Sequence, residues 1–240
     1  MTRKRHRKSI NPFRFQRDVQ RPDWASVLDL SKAVEVDLGF GRGEFIVESA
    51  RLRPDVQFVG IEIRDYLIER MRERLQRDPR PNVHVLAANA KQHLPTLFDP
   101  GMLSRVYIHF PDPWTKRKKH HKRRMVDGDL VATLHTLLKP GGEVHLMADK
   151  EEVGLEMRGL LEAHGGFENA CGAGQFCPES TTGLCTREEL YYVKRGTPIY
   201  RLKFIRDESP HSNSILSGTS ITSLHCSLAP AGDFEYNDSR

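Results

Sequence analysis

The chain has 240 residues, of which 38% are apolar and 29% are charged, and its net charge is +5. This length suits one α/β domain with short appendages, and the composition indicates a core under a heavily charged surface. No apolar run reaches about 18 residues and no apolar segment follows the basic N-terminus, so we expect neither a membrane span nor a secretory signal but a cytoplasmic protein.

The predicted elements alternate between strands and helices. Residues 1–24 are predicted to be a basic, flexible N-terminal arm, because Pro12 and Pro22 interrupt any long helix. In the predicted domain, residues 25–206, apolar runs predict buried strands at Val34–Leu38, Phe58–Ile63, Val83–Ala87, Arg105–Phe110 and Glu143–Ala148. The stretches between and after them predict helices at Glu44–Leu52, Tyr66–Gln76, Gln92–Leu97, Arg123–Leu138 and Glu151–His164. This alternation predicts an α/β fold with a mostly parallel, doubly wound sheet.

The C-terminal part of the chain has weaker patterns. Residues 167–190 are predicted to form loops around one short strand, and Tyr200–Phe204 alternates as a final strand would. Residues 207–240 are rich in Ser, Thr, Asn and Pro without periodicity, which predicts a disordered tail.

Four cysteines occur at positions that suggest neither a metal site nor a redox motif. None forms a Cys-x-x-Cys pair, and no histidine stands at zinc-ligand spacing from them. We therefore expect no metal and free thiols in a reducing compartment at Cys171, Cys177, Cys185 and Cys226.

Positive charge is concentrated in two clusters. The first, near the N-terminus, consists of Arg3, Lys4, Arg5, Arg7 and Lys8. The second places seven cations within nine positions, at Lys116, Arg117, Lys118, Lys119, Lys122, Arg123 and Arg124. Because a dense cationic patch releases the counterions condensed on a phosphate backbone, the clusters indicate a nucleic-acid partner.

A glycine loop follows the first predicted strand. Gly39-Phe40-Gly41-Arg42-Gly43 lacks the third glycine of the dinucleotide fingerprint, whose place is taken by Glu44. An acidic first helical turn disfavours a pyrophosphate but tolerates a ligand that carries positive charge. S-adenosylmethionine, with its sulfonium and ammonium groups, is such a ligand.

Two further polar residues follow the next strands of the predicted sheet. Glu62, which comes 19 residues after Gly43, ends the second strand, where a carboxylate can accept hydrogen bonds from both hydroxyls of a ribose. Asn89 follows the third strand and could meet the amino group of adenine. Because parallel strands of an open α/β sheet bind ligands at their carboxyl ends, the three features together predict a nucleoside site.

The fourth strand ends in Phe110-Pro111-Asp112-Pro113-Trp114. Two prolines fix the backbone, so Asp112 and Trp114 are predicted to be held rigidly beside the second cationic cluster.

With these motifs the chain resembles the bacterial tRNA (guanine-N7-)-methyltransferases. The resemblance covers roughly residues 33–205 and is carried by Asp37–Gly43, Gly60-Ile61-Glu62, the Pro-Asp-Pro-Trp segment with Lys116 and Lys122-Arg123-Arg124, Ala148-Asp149, Thr186-Arg187-Glu188-Glu189, and Gly196-x-Pro198-Ile199-Tyr200-Arg201. The chain departs from the family at Glu188, where an aromatic residue is usual, at Asn89, where Asp is frequent, and at Asp37, where many members have Glu.

The resemblance implies a Rossmann-like class I S-adenosylmethionine-dependent methyltransferase that methylates N7 of a guanosine in tRNA, at guanine 46 of the variable loop in the family. It implies a catalytic role for Asp112 and cofactor contacts from Asp37, Gly39, Gly41, Glu62, Asn89 and Asp112. The implied substrate contacts are Lys116, Asp149, Thr186, Arg187, Glu188 and Glu189. The RNA backbone is expected to meet Lys118, Lys119, Lys122, Arg123 and Arg124, and the protein to be a monomer or a homodimer.

The chemistry of guanine agrees with these expectations. N7 carries a lone pair at neutral pH, so catalysis can consist mostly of placing N7 in line with the sulfonium methyl group. A carboxylate can accept both N1–H and the 2-amino group, and either Asp112 or Asp149 could supply it.

Two other functions have to be weighed. Methyltransferases that act on amino groups use Asn/Asp-Pro-Pro-Tyr/Phe/Trp after the fourth strand, and this chain has one proline fewer at Asp112-Pro113-Trp114. A non-catalytic RNA-binding scaffold would have no reason to keep Gly39, Gly41 and Glu62.

Overall fold

The computed structural model describes residues 11–115 and 118–208, and for residues 118 and 119 it describes the backbone alone. The strands are β1 (Ala33–Leu38), β2 (Val56–Glu62), β3 (Val83–Ala87), β4 (Leu103–His109), β5 (Leu138–Ala148), β6 (Phe167–Asn169) and β7 (Tyr200–Arg206). The helices are α1 (Trp24–Val27), α2 (Glu44–Leu52), α3 (Asp65–Arg77), α4 (Ala90–Leu97), α5 (Gly128–Leu137), α6 (Glu151–His164) and α7 (Arg187–Val193), with 3₁₀ turns at Pro12–Arg14 and Lys118–Arg123.

The seven strands form one sheet in the order β3-β2-β1-β4-β5-β7-β6. Strands β1 to β5 pair in parallel, and β7 pairs antiparallel with β5 and β6. This confirms the predicted doubly wound, mostly parallel sheet. The strand order reverses between β1 and β4, and in such sheets ligands bind at the carboxyl edge of this switch point.

Helices cover both faces of the sheet, so the central strands are largely buried. One cluster of buried side chains on α4, α5 and α6 packs against β1, β4 and β5, with Leu94, Leu134 and Leu161 fully buried. A second cluster lies under α2 and α3 and includes Ile46 and Met71. Each such aliphatic side chain contributes about 1.5–3 kcal/mol when it leaves water, so this packing holds the strand ends in fixed positions.

Residues 11–24 lie on the surface of this domain, although the sequence predicts a flexible arm over 1–24. Trp24 is buried, stacks on Phe98 at 5.1 Å between ring centroids, and donates from Nε1 to the carbonyl of Leu97. Phe15 is also buried, and its ring meets His93 edge-on. The sequence pattern misses these contacts because the two anchors are isolated between prolines and cations. Residues 1–10 lie outside the described residues.

The predicted helix Arg123–Leu138 is wrong at its N-terminal end. A 3₁₀ turn ends at Arg123, and α5 begins at Gly128 because the Asp127 side chain caps it by accepting from the amide of Leu130. The helix ends at Leu137, and Lys139-Pro140-Gly141-Gly142 are already part of β5, which begins at Leu138 and not at Glu143 as predicted.

The segment 167–190 contains the short strand predicted there, β6, and also the start of α7, which the sequence analysis assigns to loops. The prediction of free thiols is wrong for Cys171 and Cys177, which form a disulfide. A turn at Gly172 and Gly174, both with positive φ, brings the Cα atoms of the two cysteines to a distance of 5.3 Å. Cys185 is free and exposed. Cys226 and the predicted tail from residue 209 onward lie outside the described residues.

None of the helices in the part of the chain that the structure describes is both long enough and apolar enough to cross a lipid bilayer.

Candidate active site

The carboxyl ends of β1, β2, β3 and β4 open onto one pocket of about 1210 Å³, counting its open mouth. Its wall contains all six residues that the sequence predicts for the cofactor and three of the six predicted for the substrate. They are Asp37, Gly39, Gly41, Glu62, Asn89, Asp112, Thr186, Arg187 and Glu188. Residues more than 140 positions apart in the sequence therefore meet at the switch point of the sheet.

The glycine loop turns the chain from β1 into α2 beneath this pocket. Gly39 has a φ of 78° and Gly41 a φ of 60°, in the left-handed region that strains any residue with a Cβ atom. The amide of Gly41 donates to Oε2 of Glu62 at 3.1 Å, which ties the loop to the end of β2. The loop thus keeps bare backbone against the pocket, as the sequence predicts.

Glu62 is buried, with 1% of its surface exposed, and its carboxylate is held on several sides. Its Oε1 accepts from the amides of Ile63 and Arg64, and the Arg64 guanidinium binds both carboxylate oxygens at 2.9 Å. These donors fix the carboxylate at the pocket wall, in the position where the sequence predicts a contact to ribose.

Asp37 is also buried, and its protonation equilibrium is unusual. It is 3% exposed, and burial, together with the negative charge of Glu62, raises the pKa of Asp37 to about 8. The carboxyl group is therefore mostly neutral at pH 7 in the ligand-free protein. A cation placed beside it would favour its ionised form, so the base of this pocket suits a positively charged ligand group.

Asn89 stands at the start of α4 and lines the pocket beside Pro12. Its side-chain Nδ2 donates to the carbonyl of Pro12 at 3.1 Å. Because this contact uses the amide nitrogen, the amide oxygen is the atom that could accept from an amino group.

The segment from Phe110 to Trp114 is held in strained backbone conformations. Phe110 and Trp114 have φ angles of 49° and 46°, which residues other than glycine rarely adopt. Phe110 is buried against Tyr192 of α7, with ring centroids 5.1 Å apart, and the Arg123 guanidinium lies 5.0 Å from the Trp114 ring centroid. These contacts keep Asp112, between the two strained residues, at the pocket wall.

His109, the last residue of β4, lines the same pocket and was missed by the sequence analysis. Burial, helped by His145, lowers the pKa of His109 to about 3, so its ring is neutral at physiological pH. Phe45 packs edge-on against it at 4.6 Å, and among the described residues its buried Nε2 has no hydrogen-bond partner. A lone histidine inside a strand carries no sequence signal that separates it from a core residue.

Comparison with known proteins agrees with this geometry. Residues 31–202 match the family model described as "Putative methyltransferase". The chain is 40% identical over 205 residues to the tRNA (guanine-N(7)-)-methyltransferase of Thermosynechococcus vestitus, with 84% of this chain and 95% of that protein covered. It is 41% identical to the protein of that name from Synechococcus sp. (strain JA-3-3Ab), with 82% of this chain and 84% of that protein covered. It is 31% identical to the protein of that name from Myxococcus xanthus, with 77% of this chain and 89% of that protein covered.

The chain belongs to the tRNA (guanine-N7-)-methyltransferase family. Solved structures agree on the Rossmann-like class I methyltransferase fold. The 16S rRNA methyltransferase KamB superposes with a TM-score of 0.56 at 17% identity. The superposition covers 80% of this chain and 97% of the KamB chain. A 16S rRNA (adenine(1408)-N(1))-methyltransferase from Catenulisporales acidiphilia gives a TM-score of 0.53 at 16% identity, with 82% and 95% covered.

In this methyltransferase the second cationic cluster is only partly turned toward solvent. Lys122 is exposed, with its ammonium 5.8 Å from the Phe13 ring centroid, and Arg123 lines the pocket. Arg124 is instead buried: it donates to the carbonyl of Pro113 and forms ion pairs with Glu152 and Glu156 of α6. We therefore leave Arg124 out of the proposed RNA surface. Lys116 and the side chains of Lys118 and Lys119 lie outside the described residues.

The motif Thr186-x-x-Glu189 forms the N-terminal cap of α7. The Thr186 side chain accepts from the amide of Glu189, and the Glu189 carboxylate accepts from the amide of Thr186 and from the Arg201 guanidinium. Glu189 is fully buried, so in this structure it holds the helix, and Arg187 and Glu188 beside it line the pocket. The role in substrate binding predicted for this segment remains a proposal for Thr186, Arg187 and Glu188, which line the pocket.

Asp149 follows β5 at the same edge of the sheet and is half-buried. Of the two described carboxylates that could hold guanine, only Asp112 contributes to the pocket wall. The geometry therefore favours Asp112 for this contact.

Proposed function

We propose that this methyltransferase transfers the methyl group of S-adenosylmethionine to N7 of a guanosine in tRNA, at guanosine 46 of the variable loop. The observation that carries the proposal is the single pocket that joins the glycine loop and Glu62 to Asp112 and α7. Relatives named for this activity are up to 41% identical over most of the chain. A tRNA substrate is also in keeping with the cytoplasmic location that the sequence predicts.

The donor set of the pocket fits S-adenosylmethionine. Asp37 lines the pocket, and its buried carboxyl group would ionise beside a cation, which favours a ligand with positive charge. Glu62 and Asn89 line the same pocket, where Glu62 would accept from the ribose hydroxyls and the Asn89 amide oxygen would accept from the adenine amino group. When bound, this cofactor supplies an electrophilic methyl group on a sulfonium.

The residues of this chain need only position the base, because N7 has a free lone pair and no proton must first be removed. Asp112 is placed to accept N1–H and the 2-amino group of guanine, which turns N7 away from the carboxylate and toward the cofactor. The strained backbone at Phe110 and Trp114 keeps this carboxylate fixed, so little reorganisation is required when the base enters. Holding the two reactants in line can supply about 7–11 kcal/mol of the barrier reduction.

Arg123 lines the pocket beside Trp114, and its neighbour Lys122 is exposed next to Phe13, so both can neutralise phosphates of the RNA backbone. This electrostatic contact positions the strand but does not select the base, which is left to Asp112.

Methyl transfer from labelled S-adenosylmethionine to unmodified tRNA tests the proposal. Wild type should incorporate label, and Asp112→Ala should reduce the rate at least about 100-fold while tRNA binding, measured by filter retention, persists. Asp55→Ala is the matched control, because Asp55 is exposed just before β2, at the opposite edge of the sheet. Near-normal methylation by Asp112→Ala would remove this residue from the mechanism. Failure of the wild type to bind S-adenosylmethionine in equilibrium dialysis would instead favour a non-catalytic scaffold.

A further inference from the structure

The outer face of α7 exposes apolar and cationic side chains that the proposed mechanism does not use. Leu190, Tyr191 and Val193 have 47%, 40% and 58% of their surface exposed. Lys194 and Arg195, which directly follow the helix, are exposed as well. We call the surface formed by these five residues and Arg187 the α7 face.

Side-chain contacts on the other side of α7 hold the helix in place. The exposure of the α7 face is therefore not the result of a loosely packed helix. The fully buried Glu189 binds Arg201 of β7, and Tyr192 packs against Phe110. The cap at Thr186 fixes the first turn. Exposed apolar residues on a helix anchored in this way indicate a surface that another molecule covers.

The α7 face adjoins the mouth of the pocket. Arg187 and Glu188 line the pocket, and Tyr191 lies four and three positions after them, one helical turn further on. The Tyr191 ring is also held in place. The Arg195 guanidinium lies 5.1 Å from its centroid, and the Tyr192 ring meets it edge-on at 5.4 Å.

The structure therefore has one aromatic–guanidinium pair in the pocket wall and a second one close to it. Arg123 and Trp114 line the pocket, whereas Arg195 and Tyr191 lie about one helical turn beyond Arg187 and Glu188, which line it. An exposed aromatic ring beside cations is the combination that binds single-stranded RNA, because the ring stacks on a base while the cations meet phosphates.

The positive charge of the α7 face also favours binding of RNA. Its cations are Arg187, Lys194 and Arg195, while Glu188 faces the pocket instead. Nη1 of Arg187 lies 3.3 Å from Oε1 of Glu44, so part of its charge is neutralised. Lys194 and Arg195, close to Tyr191, form no ion pair with the carboxylates that the structure describes. A polyanion with flat apolar bases complements both the charge and the exposed ring.

We propose that the α7 face binds the nucleotide next to the target guanosine, with its base stacked on Tyr191 and its phosphates near Lys194 and Arg195. This inference rests on the proposed function. A guanosine that enters the pocket must leave its stack, so its neighbour loses a stacking partner and the Tyr191 ring replaces it.

Tyr191→Ala tests the proposal through the dissociation constant for unmodified tRNA and through KM and kcat. The dissociation constant and KM should rise about tenfold, whereas Tyr191→Phe, which keeps the ring, should stay within about twofold of wild type. Arg195→Gln should weaken binding and reduce its salt dependence. Affinity for S-adenosylmethionine, measured calorimetrically, should not change in any variant, because Tyr191 and Arg195 lie outside the cofactor half of the pocket.

Leu155→Ala and Lys139→Gln are the matched controls, because both residues are exposed and belong to α6 and to the start of β5. They should bind tRNA as wild type does. In tRNA with 2-aminopurine beside the target guanosine, wild type should quench the fluorescence and Tyr191→Ala should not.

Wild-type tRNA affinity and quenching in Tyr191→Ala would overturn the inference while leaving the proposed function intact. If Tyr191→Ala changes only the oligomeric state, as measured by sedimentation, the α7 face contacts a second copy of the chain and the inference is overturned. If the wild type methylates no guanosine in tRNA, both proposals fail together.

Discussion

Replacement of Asp37 by asparagine should stabilise the ligand-free protein, and increasingly so as the pH rises. Burial beside Glu62 raises the pKa of Asp37 from 3.8 to about 8. Between these values the folded protein keeps a proton that the unfolded chain releases, so the carboxyl's contribution to stability is present at low pH and is lost as the pH rises through 8. Asparagine does not titrate and avoids this loss.

The size of the effect follows from the pKa difference. One pKa unit corresponds to about 1.4 kcal/mol, so the stability of wild type relative to Asp37→Asn should fall by about 2–3 kcal/mol between pH 5 and pH 7. Above pH 8 the difference should level off, because Asp37 is then ionised in both states. The same variant should lose affinity for S-adenosylmethionine, since the amide offers no negative charge to a cation.

Urea unfolding of both proteins at pH 5, 6, 7 and 8, without cofactor, measures the free-energy difference directly. Asp55→Asn replaces an exposed carboxylate and should leave the pH dependence of wild type unchanged. A gain in Asp37→Asn that is equal at pH 5 and pH 7, or a variant less stable than wild type at pH 7, would refute the reasoning that burial keeps Asp37 protonated.

Three further predictions follow from the site. Thr186→Ala removes the cap of α7 and should lower the free energy of unfolding by about 1 kcal/mol; an unchanged urea midpoint would contradict a structural role for this threonine. Lys122→Gln combined with Arg123→Gln should flatten the slope of log K for tRNA against log salt by about 1.5, because two phosphate contacts are lost, and an unchanged slope would exclude them from the RNA surface. Binding of S-adenosylmethionine at pH 7 should release a proton as Asp37 ionises; calorimetric heats that do not depend on the ionisation enthalpy of the buffer would argue against this.

The cofactor half of the site could be predicted from the sequence because its signals are local. The glycine loop, Glu62 and Asn89 each follow an apolar strand, and parallel strands bring their carboxyl ends to one edge. The structure adds the protonation of Asp37, which depends on burial and on the charge of Glu62 at the end of the neighbouring strand, neither of which sequence spacing reveals.

Other features required the tertiary structure. Arg124 looks like its cationic neighbours in the sequence, but ion pairs with α6 withdraw it from solvent. The capping box Thr186-x-x-Glu189 is visible in the sequence, but α7 has only seven residues, too few for a helical periodicity that would predict it. The disulfide between Cys171 and Cys177 depends on a turn through Gly172 and Gly174 that the spacing of the cysteines does not predict.

The central claim is that the pocket delivers a methyl group to N7 of one guanosine in tRNA. Borohydride reduction followed by aniline cleaves RNA at N7-methylguanosine, so it reports both the atom and the position in a single measurement. After reaction with wild type and S-adenosylmethionine, the tRNA should break at guanosine 46 of the variable loop, and after reaction with Asp112→Ala it should remain intact. Methyl label in tRNA that resists cleavage, or cleavage at another guanosine, would contradict the account.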